Sequence, residues 1–232
     1  MDDAAADLEH MLVHNLKSPV TGLLATLEML AEGDFGSLSP AQQRAVQDLQ
    51  GHGAQLLGLI DELLEIGSLE SAGVAVHVRE VDVREFLADI HEEWSLRLGD
   101  RLAVSADDGV DRVASDPVVL RRVLGNLLLN AVMHGGADVR IHCSARTDGD
   151  RLLLTVSDNG PGIPAAHAER VFEKFVRLDR PGRPATRGSG LGLAYCRAAT
   201  QAMGGSIDLQ RGGAPGATFV IALPVSQGEA PS

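Results

Sequence analysis

The chain has 232 residues, 44% hydrophobic but only 3% aromatic, with a formal net charge of -12 at pH 7. That length suits one large domain or two small ones, and the composition demands a core of Leu, Val, Ala and Ile. The acidity excludes a nucleic-acid-binding surface, which needs clustered Lys and Arg to neutralise phosphates.

No apolar run approaches the ~20 residues that cross a bilayer. The acidic start Met1-Asp2-Asp3 is unlike a signal peptide. A soluble, cytoplasmic chain is expected, with any membrane attachment in a sensing region outside it. Cys143 and Cys196 form no CxxC pair and sit in apolar patterns, so they read as small core residues.

The spacing predicts two helices between residues 5 and 70. Leu12, Leu16, Leu23, Leu27 and Leu30 recur on one helical face. Gly33-Asp34-Phe35-Gly36 breaks it, and Ser39-Pro40 starts the second helix as N-cap and first helical residue. Val46, Leu49, Leu56, Leu59, Ile60, Leu63 and Leu64 form the second stripe. Two helices alone cannot enclose both stripes, and dimerisation into a four-helix bundle solves that.

A small-residue connector runs from Ser68 to Val78. Beyond it the pattern gives a helix over 82–98 and an extended segment over Arg101 to Ser105. A helix from Pro117 to His134 follows. Two alternating strands, Val139–Cys143 and Leu152–Val156, are joined by the turn Thr147-Asp148-Gly149-Asp150. A glycine-rich segment leads to a helix over Gly190 to Met203, and strands near 206–210 and 218–223 close the pattern. This is an α+β class chain, its second part an α/β sandwich with helices on one face of a mixed sheet.

Four clusters carry candidate chemistry. In His14-Asn15-Leu16-Lys17-Ser18-Pro19, His14 stands about 200° round the helix from Leu12, away from the apolar seam. An exposed imidazole titrates near neutrality and can act as a nucleophile. Taken alone, it equally fits an ordinary surface histidine, and His10 one turn earlier lacks a third partner for a metal. Asn126 and Asn130 lie four apart on one helical face. Their carbonyl oxygens suit Mg²⁺, or else a hydrogen-bonded helix contact.

The third cluster, Asp158-Asn159-Gly160-Pro161-Gly162, follows a strand. Its glycines permit close approach of a ligand ring, and Asp158 can accept from an exocyclic amine; a plain turn is the alternative. The fourth, Gly188-Ser189-Gly190-Leu191-Gly192, opens a helix, where backbone N–H groups can bind an anion. Between these two, Val176 to Arg187 is rich in Arg, Pro and Gly. It suits a mobile lid whose Arg177, Arg183 or Arg187 reaches phosphates, or a solvated loop.

In their order and spacing these motifs resemble the sensor histidine kinase family over nearly the whole chain. The H-box is His14 to Pro19, the N-box Asn126 to Ala131, the G1 box Asp158 to Gly162, the F-box Phe172-Glu173-Lys174-Phe175 and the G2 box Gly188 to Gly192. The resemblance implies a dimerisation and phosphotransfer domain over 5–70 and a Bergerat-type ATP-binding domain over 79–225. It implies ATP and Mg²⁺ as cofactors, with Asn130 and Asn126 as metal ligands. Nucleotide contacts fall at Asn126, Asn130, His134, Asp158, Gly160, Gly162, Lys174, Arg177, Arg187, Gly188, Gly190, Leu191 and Gly192. His14 is then the phosphoryl acceptor, with Asn15 and Ser18 beside it. The partners implied are a second copy of the chain and a response-regulator receiver domain, whose aspartate takes the phosphoryl group.

Two positions depart from the family pattern. Asn15 stands where members usually carry Glu or Asp as general base, and a neutral amide cannot take the imidazole proton. Met133 stands where a Lys is common. Two readings therefore follow: an active autokinase, and a degenerate member acting mainly as a phosphotransfer, phosphatase or regulatory dimer with weak autokinase activity.

Overall fold

The structure is a computed structural model. It describes residues 2–71, 76–110, 112–178, 188–210 and 215–225, with side chains described from residue 15 onward. The chain divides into two compact units, residues 1–74 and 75–232.

The first unit is a helical hairpin of α1 (Asp2–Glu32) and α2 (Pro40–Glu70). α1 runs straight through Pro19, which has no N–H to give the Asn15 carbonyl. Gly33 and Gly36, at φ +92 and +109, end the helix and turn the chain. Ser39 then caps α2 in a full capping box: its hydroxyl accepts from Gln42 N, and the Gln42 side chain accepts from Ser39 N. Lys17 Nζ meets Asp61 Oδ1 at 2.7 Å across the hairpin, and Gly53 lets Leu24 pack onto the α2 backbone.

The stripes divide as their width requires. Leu27, Val46 and Ile60 are buried within one chain, whereas Leu16 and Leu23 stay 55% exposed, Leu49 51% and Leu56 46%. A single hairpin therefore leaves these four leucines uncovered.

The second unit begins with a small two-stranded sheet, β1 (Arg79–Asp82) against β3 (Arg112–Ser115). The sequence reading did not anticipate it, because each strand offers one buried valine, Val81 or Val113, too few for a periodic signal. α3 (Val83–Leu98) follows β1, capped by Asp82 through Arg84 N and Glu85 N. α4 (Pro117–Gly135) has Pro117 in its first turn and Asp116 as cap. The buried Asp116 carboxylate accepts from Val118 N, Val119 N and His77 N.

The main sheet has the order β2-β4-β5-β7-β6, with β2 (Leu102–Ala106) parallel to β4 (Ile141–Asp148) and all other pairs antiparallel. β5 (Arg151–Asp158) is central, β7 (Thr218–Pro224) lies beside it, and β6 (Ser206–Leu209) forms the edge. Register places Cys143 opposite Val156, Ala145 opposite Leu154, and Ile221 opposite Leu154 on the other side. These residues are all buried, while the alternate set, His142, Ser144, Thr155 and Val220, is exposed or half-exposed. One face is thus dry and the other solvated, as an antiparallel sheet allows.

Two elements start later than the sequence spacing predicts. β4 starts at Ile141, not Val139, because Val139 N closes a turn onto Gly136 O. α5 spans Gly192–Ala202 and begins two residues late, since Gly190 at φ +73 is not helical. The core is also less aliphatic than composition implied. Phe86, Trp94, Phe172, Tyr195 and Phe219 are all buried, and Phe172 meets Phe219 edge-to-face at 6.1 Å. Cys143 and Cys196 are buried free thiols. Burial pushes Cys143 up to about 12 and raises Cys196 further, so both stay protonated and inert at neutral pH.

Candidate nucleotide and phospho-acceptor sites

Asp158 is the last residue of β5, and its position is fixed twice. Its backbone N donates to Ala217 O at 2.9 Å. Its Oδ1 accepts from Gly160 N at 2.7 Å and from Ala217 N at 3.3 Å. With Oδ1 committed to backbone, Oδ2 is the oxygen available to a ligand.

Gly160 closes this loop onto the end of α4: a Cβ there would stand 2.7 Å from Gly135 Cα and 2.8 Å from Asp158 Oδ1. Only glycine permits that approach. Gly216 performs the same service on the opposite side, since any Cβ would overlap the Asp158 carbonyl. Gly135, Gly216 and Ala217 are thus parts of the site that motif reading missed. The Gly135-Gly136 pair after the asparagine helix was the available signal.

Asn126 and Asn130 are both half-buried on α4. The Asn126 side chain hydrogen-bonds the Cys196 thiol, and its Oδ1 lies 3.5 Å from where a Gly192 Cβ would sit. Asn126 thus makes a helix contact to α5, with its carbonyl oxygen beside the start of that helix. α5 has no side-chain cap at Leu191. Leu191 N bonds Ser189 Oγ at 3.2 Å, and the first-turn N–H groups that follow have no intrahelical acceptor. That leaves an electropositive helix end beside the Asn126 oxygen.

Phe175 supplies a second feature that the sequence hid. It is a non-glycine residue at φ +65, its N donates to Gly190 O at 3.0 Å, and a Gly190 Cβ would stand 2.9 Å from its carbonyl carbon. The chain is pinched together on either side of 176–189, a backbone strain of the kind held at functional sites. Phe172 anchors this region in the core, with the Arg197 guanidinium 4.5 Å from its ring centroid.

His134, Gly162 and Lys174 are half-buried, and Arg177 is exposed. Gly188, Gly190, Leu191 and Gly192 lead into α5 as expected. Arg183 and Arg187 lie outside the described residues. In the first unit His14 falls within α1, but its side chain lies outside those described. Asn15 and Ser18 are exposed.

The donor set at α4 fits a hard cation. Two amide oxygens one turn apart leave the remaining positions of Mg²⁺ to water and phosphate. Among the described residues, no cluster of three His, Cys, Asp or Glu offers an alternative metal site.

A helical hairpin that carries His14 is thus joined to an α/β sandwich whose α5 starts without a side-chain cap. Comparison with known proteins agrees. Residues 5–72 match the His Kinase A (phospho-acceptor) domain, and residues 115–227 match the histidine kinase-, DNA gyrase B- and HSP90-like ATPase domain. The chain belongs to the sensor histidine kinase family.

It is 36% identical over 224 residues to the adaptive-response sensory kinase SasA of Synechococcus sp. (strain JA-2-3B'a(2-13)), covering 93% of this chain and 58% of that one. It is 33% identical over 220 residues to the alginate biosynthesis sensor protein KinB of Pseudomonas aeruginosa, covering 91% and 36%. Full-length ShkA, solved in complex with AMPPNP, superposes with a TM-score of 0.76 at 27% identity over 97% of this chain and 47% of ShkA. The chain thus spans between 36% and 58% of the length of these relatives. No described helix is long and apolar enough to cross a membrane.

Proposed function

We propose that this chain is an ATP-dependent autokinase core that phosphorylates its own His14. The observation that supports this reading is that α4 touches the Asp158 loop through Gly135 and the start of α5 beside Asn126, in a chain whose residues 5–72 match a phospho-acceptor domain. The AMPPNP bound by ShkA supports nucleotide as the ligand class.

In this reading Asp158 Oδ2 accepts from the adenine amine, and Gly160 and Gly162 admit the ring. The first-turn amides of α5, with Lys174, Arg177 and Arg187, hold the phosphates. Asn130 and Asn126 would hold Mg²⁺, which supplies charge neutralisation to the phosphates when bound. An imidazole nitrogen of His14 attacks the γ-phosphorus. The N–P bond forms as the bond to the β-phosphate oxygen breaks, ADP leaves, and the ring proton passes to a base. Positioning and electrostatics do most of the work.

The uncovered Leu16, Leu23, Leu49 and Leu56 support a homodimer, in which two hairpins complete a four-helix bundle. The exposed Ser18 and Lys17, the latter paired with Asp61, follow His14 by about one turn in the chain, which supports this part of the hairpin as the surface a receiver domain would approach to take the phosphoryl group. A cytoplasmic location follows from that chemistry, because ATP and regulator are both there.

Incubation with γ-labelled ATP and Mg²⁺ tests the reading. Acid-labile, base-stable label on the protein supports it. Nucleotide binding without label favours the second reading, a degenerate member whose Asn15 cannot accept a proton. Those two are separated further by Asn15→Glu, which should raise autophosphorylation about tenfold or more, since a positioned base contributes at least that much. An unchanged or lower rate would show that Asn15 is not what limits the reaction. Asn130→Ala should lower Mg-ATP-dependent labelling by about a hundredfold or more. Its melting temperature should stay close to wild type, because a half-buried side chain is truncated rather than a core residue; full labelling would remove Asn130 as a metal ligand.

A further inference from the structure

α4 runs along the length of the nucleotide mouth, and its ends are labelled by contacts. At its C-terminal end Gly135 touches Gly160, beside the Asp158 carboxylate. Nine residues earlier, about 13 Å along the axis, Asn126 touches Gly192 at the start of α5. The base end of a bound nucleotide and its phosphate end therefore correspond to opposite ends of this stretch. One further turn toward the N-terminus, about 6 Å on, stands Arg122.

Arg122 shares a face with Asn126, Leu129 and Met133, all within about 60° of one another around the helix. Leu129 and Met133 are 44% and 40% exposed, so this face is open to solvent, and Arg122 is the cation on it. The guanidinium does not wander. Its carbon lies 4.3 Å from the Tyr195 ring centroid, and Tyr195 sits in the first turn of α5, three residues after Gly192. Stacking on an aromatic face fixes the guanidinium plane beside the start of α5. The charge is also felt by the neighbouring Cys196 thiol.

We propose that Arg122 is the residue that contacts the terminal phosphoryl group of bound ATP, holding it at the far end of the α4 rail for transfer. The assignment rests on the nucleotide reading above. It gives Arg122 a task that neither the diphosphate portion nor the base shares, so it separates ATP from ADP. An alternative role, gluing α4 to α5 through Tyr195, would not distinguish the two nucleotides.

The test is binding of Mg-ADP and of a non-hydrolysable ATP analogue to the full chain and to Arg122→Ala and Arg122→Lys, by calorimetry, with melting temperatures alongside. Arg122→Ala should bind ADP within about twofold of wild type while losing about tenfold or more for the triphosphate, the scale of a charge-assisted hydrogen bond. Arg122→Lys should recover part of that loss, since it keeps charge without the fork. Equal weakening for both nucleotides, or no weakening for either, would overturn the assignment in favour of the glue role. If the wild-type chain bound neither nucleotide, the nucleotide reading itself would fail, and Arg122 with it.

Discussion

His14→Ala should abolish the acid-labile label outright while leaving nucleotide affinity within about twofold of wild type. A phosphoramidate hydrolyses when its bridging nitrogen is protonated, so acid removes it and base does not. Phosphoserine and acyl phosphate show other patterns. The loss is total because no neighbouring side chain supplies an equivalent nucleophile: Asn15 is a neutral amide, Lys17 is paired with Asp61 at 2.7 Å, and Ser18 offers only a hydroxyl. Binding is spared because Asp158, Asn126, Asn130 and α5 all belong to the unit 75–232. The checks are filter-retained label after acid and base treatment, and calorimetric binding of ADP. Label that persisted in His14→Ala would place the acceptor elsewhere.

Asp158→Asn should cost about a hundredfold in ATP affinity with the fold retained. The carboxylate does two jobs through two oxygens. Oδ1 accepts from Gly160 N and Ala217 N, and an amide oxygen can replace it there. Oδ2 becomes an NH₂ group, which faces the adenine amine donor to donor. The variant loses one hydrogen bond and leaves a donor unsatisfied on each side, together about 3 kcal/mol, or roughly a hundredfold. The melting temperature should move little, because the two backbone bonds survive. Asp158→Ala should behave differently, losing stability as well as affinity, since Gly160 N and Ala217 N are then both stranded. Wild-type affinity in Asp158→Asn would remove the purine contact from this carboxylate.

The linear sequence determined the periodic and the punctuated parts of this protein. The two hairpin helices announce themselves through leucine spacing and the Ser39-Pro40 start. α4 and β5 do so through long apolar runs ended by glycine or by Asp158. The order of the asparagine, aspartate-glycine and glycine-rich motifs suffices for the family, because each motif is local and its chemistry needs only the residues within one turn.

What the tertiary structure alone decided is how distant segments close on one another. Gly216 and Ala217 complete the Asp158 loop from the start of β7, and Gly190 meets the strained backbone of Phe175. Asn126 reaches Cys196 on another helix, and Arg122 reaches Tyr195. β1 and β3 pair although neither carries a readable pattern. A contact between residues far apart in the chain leaves no period behind, and a glycine chosen for the atom it must avoid looks in sequence like any other glycine.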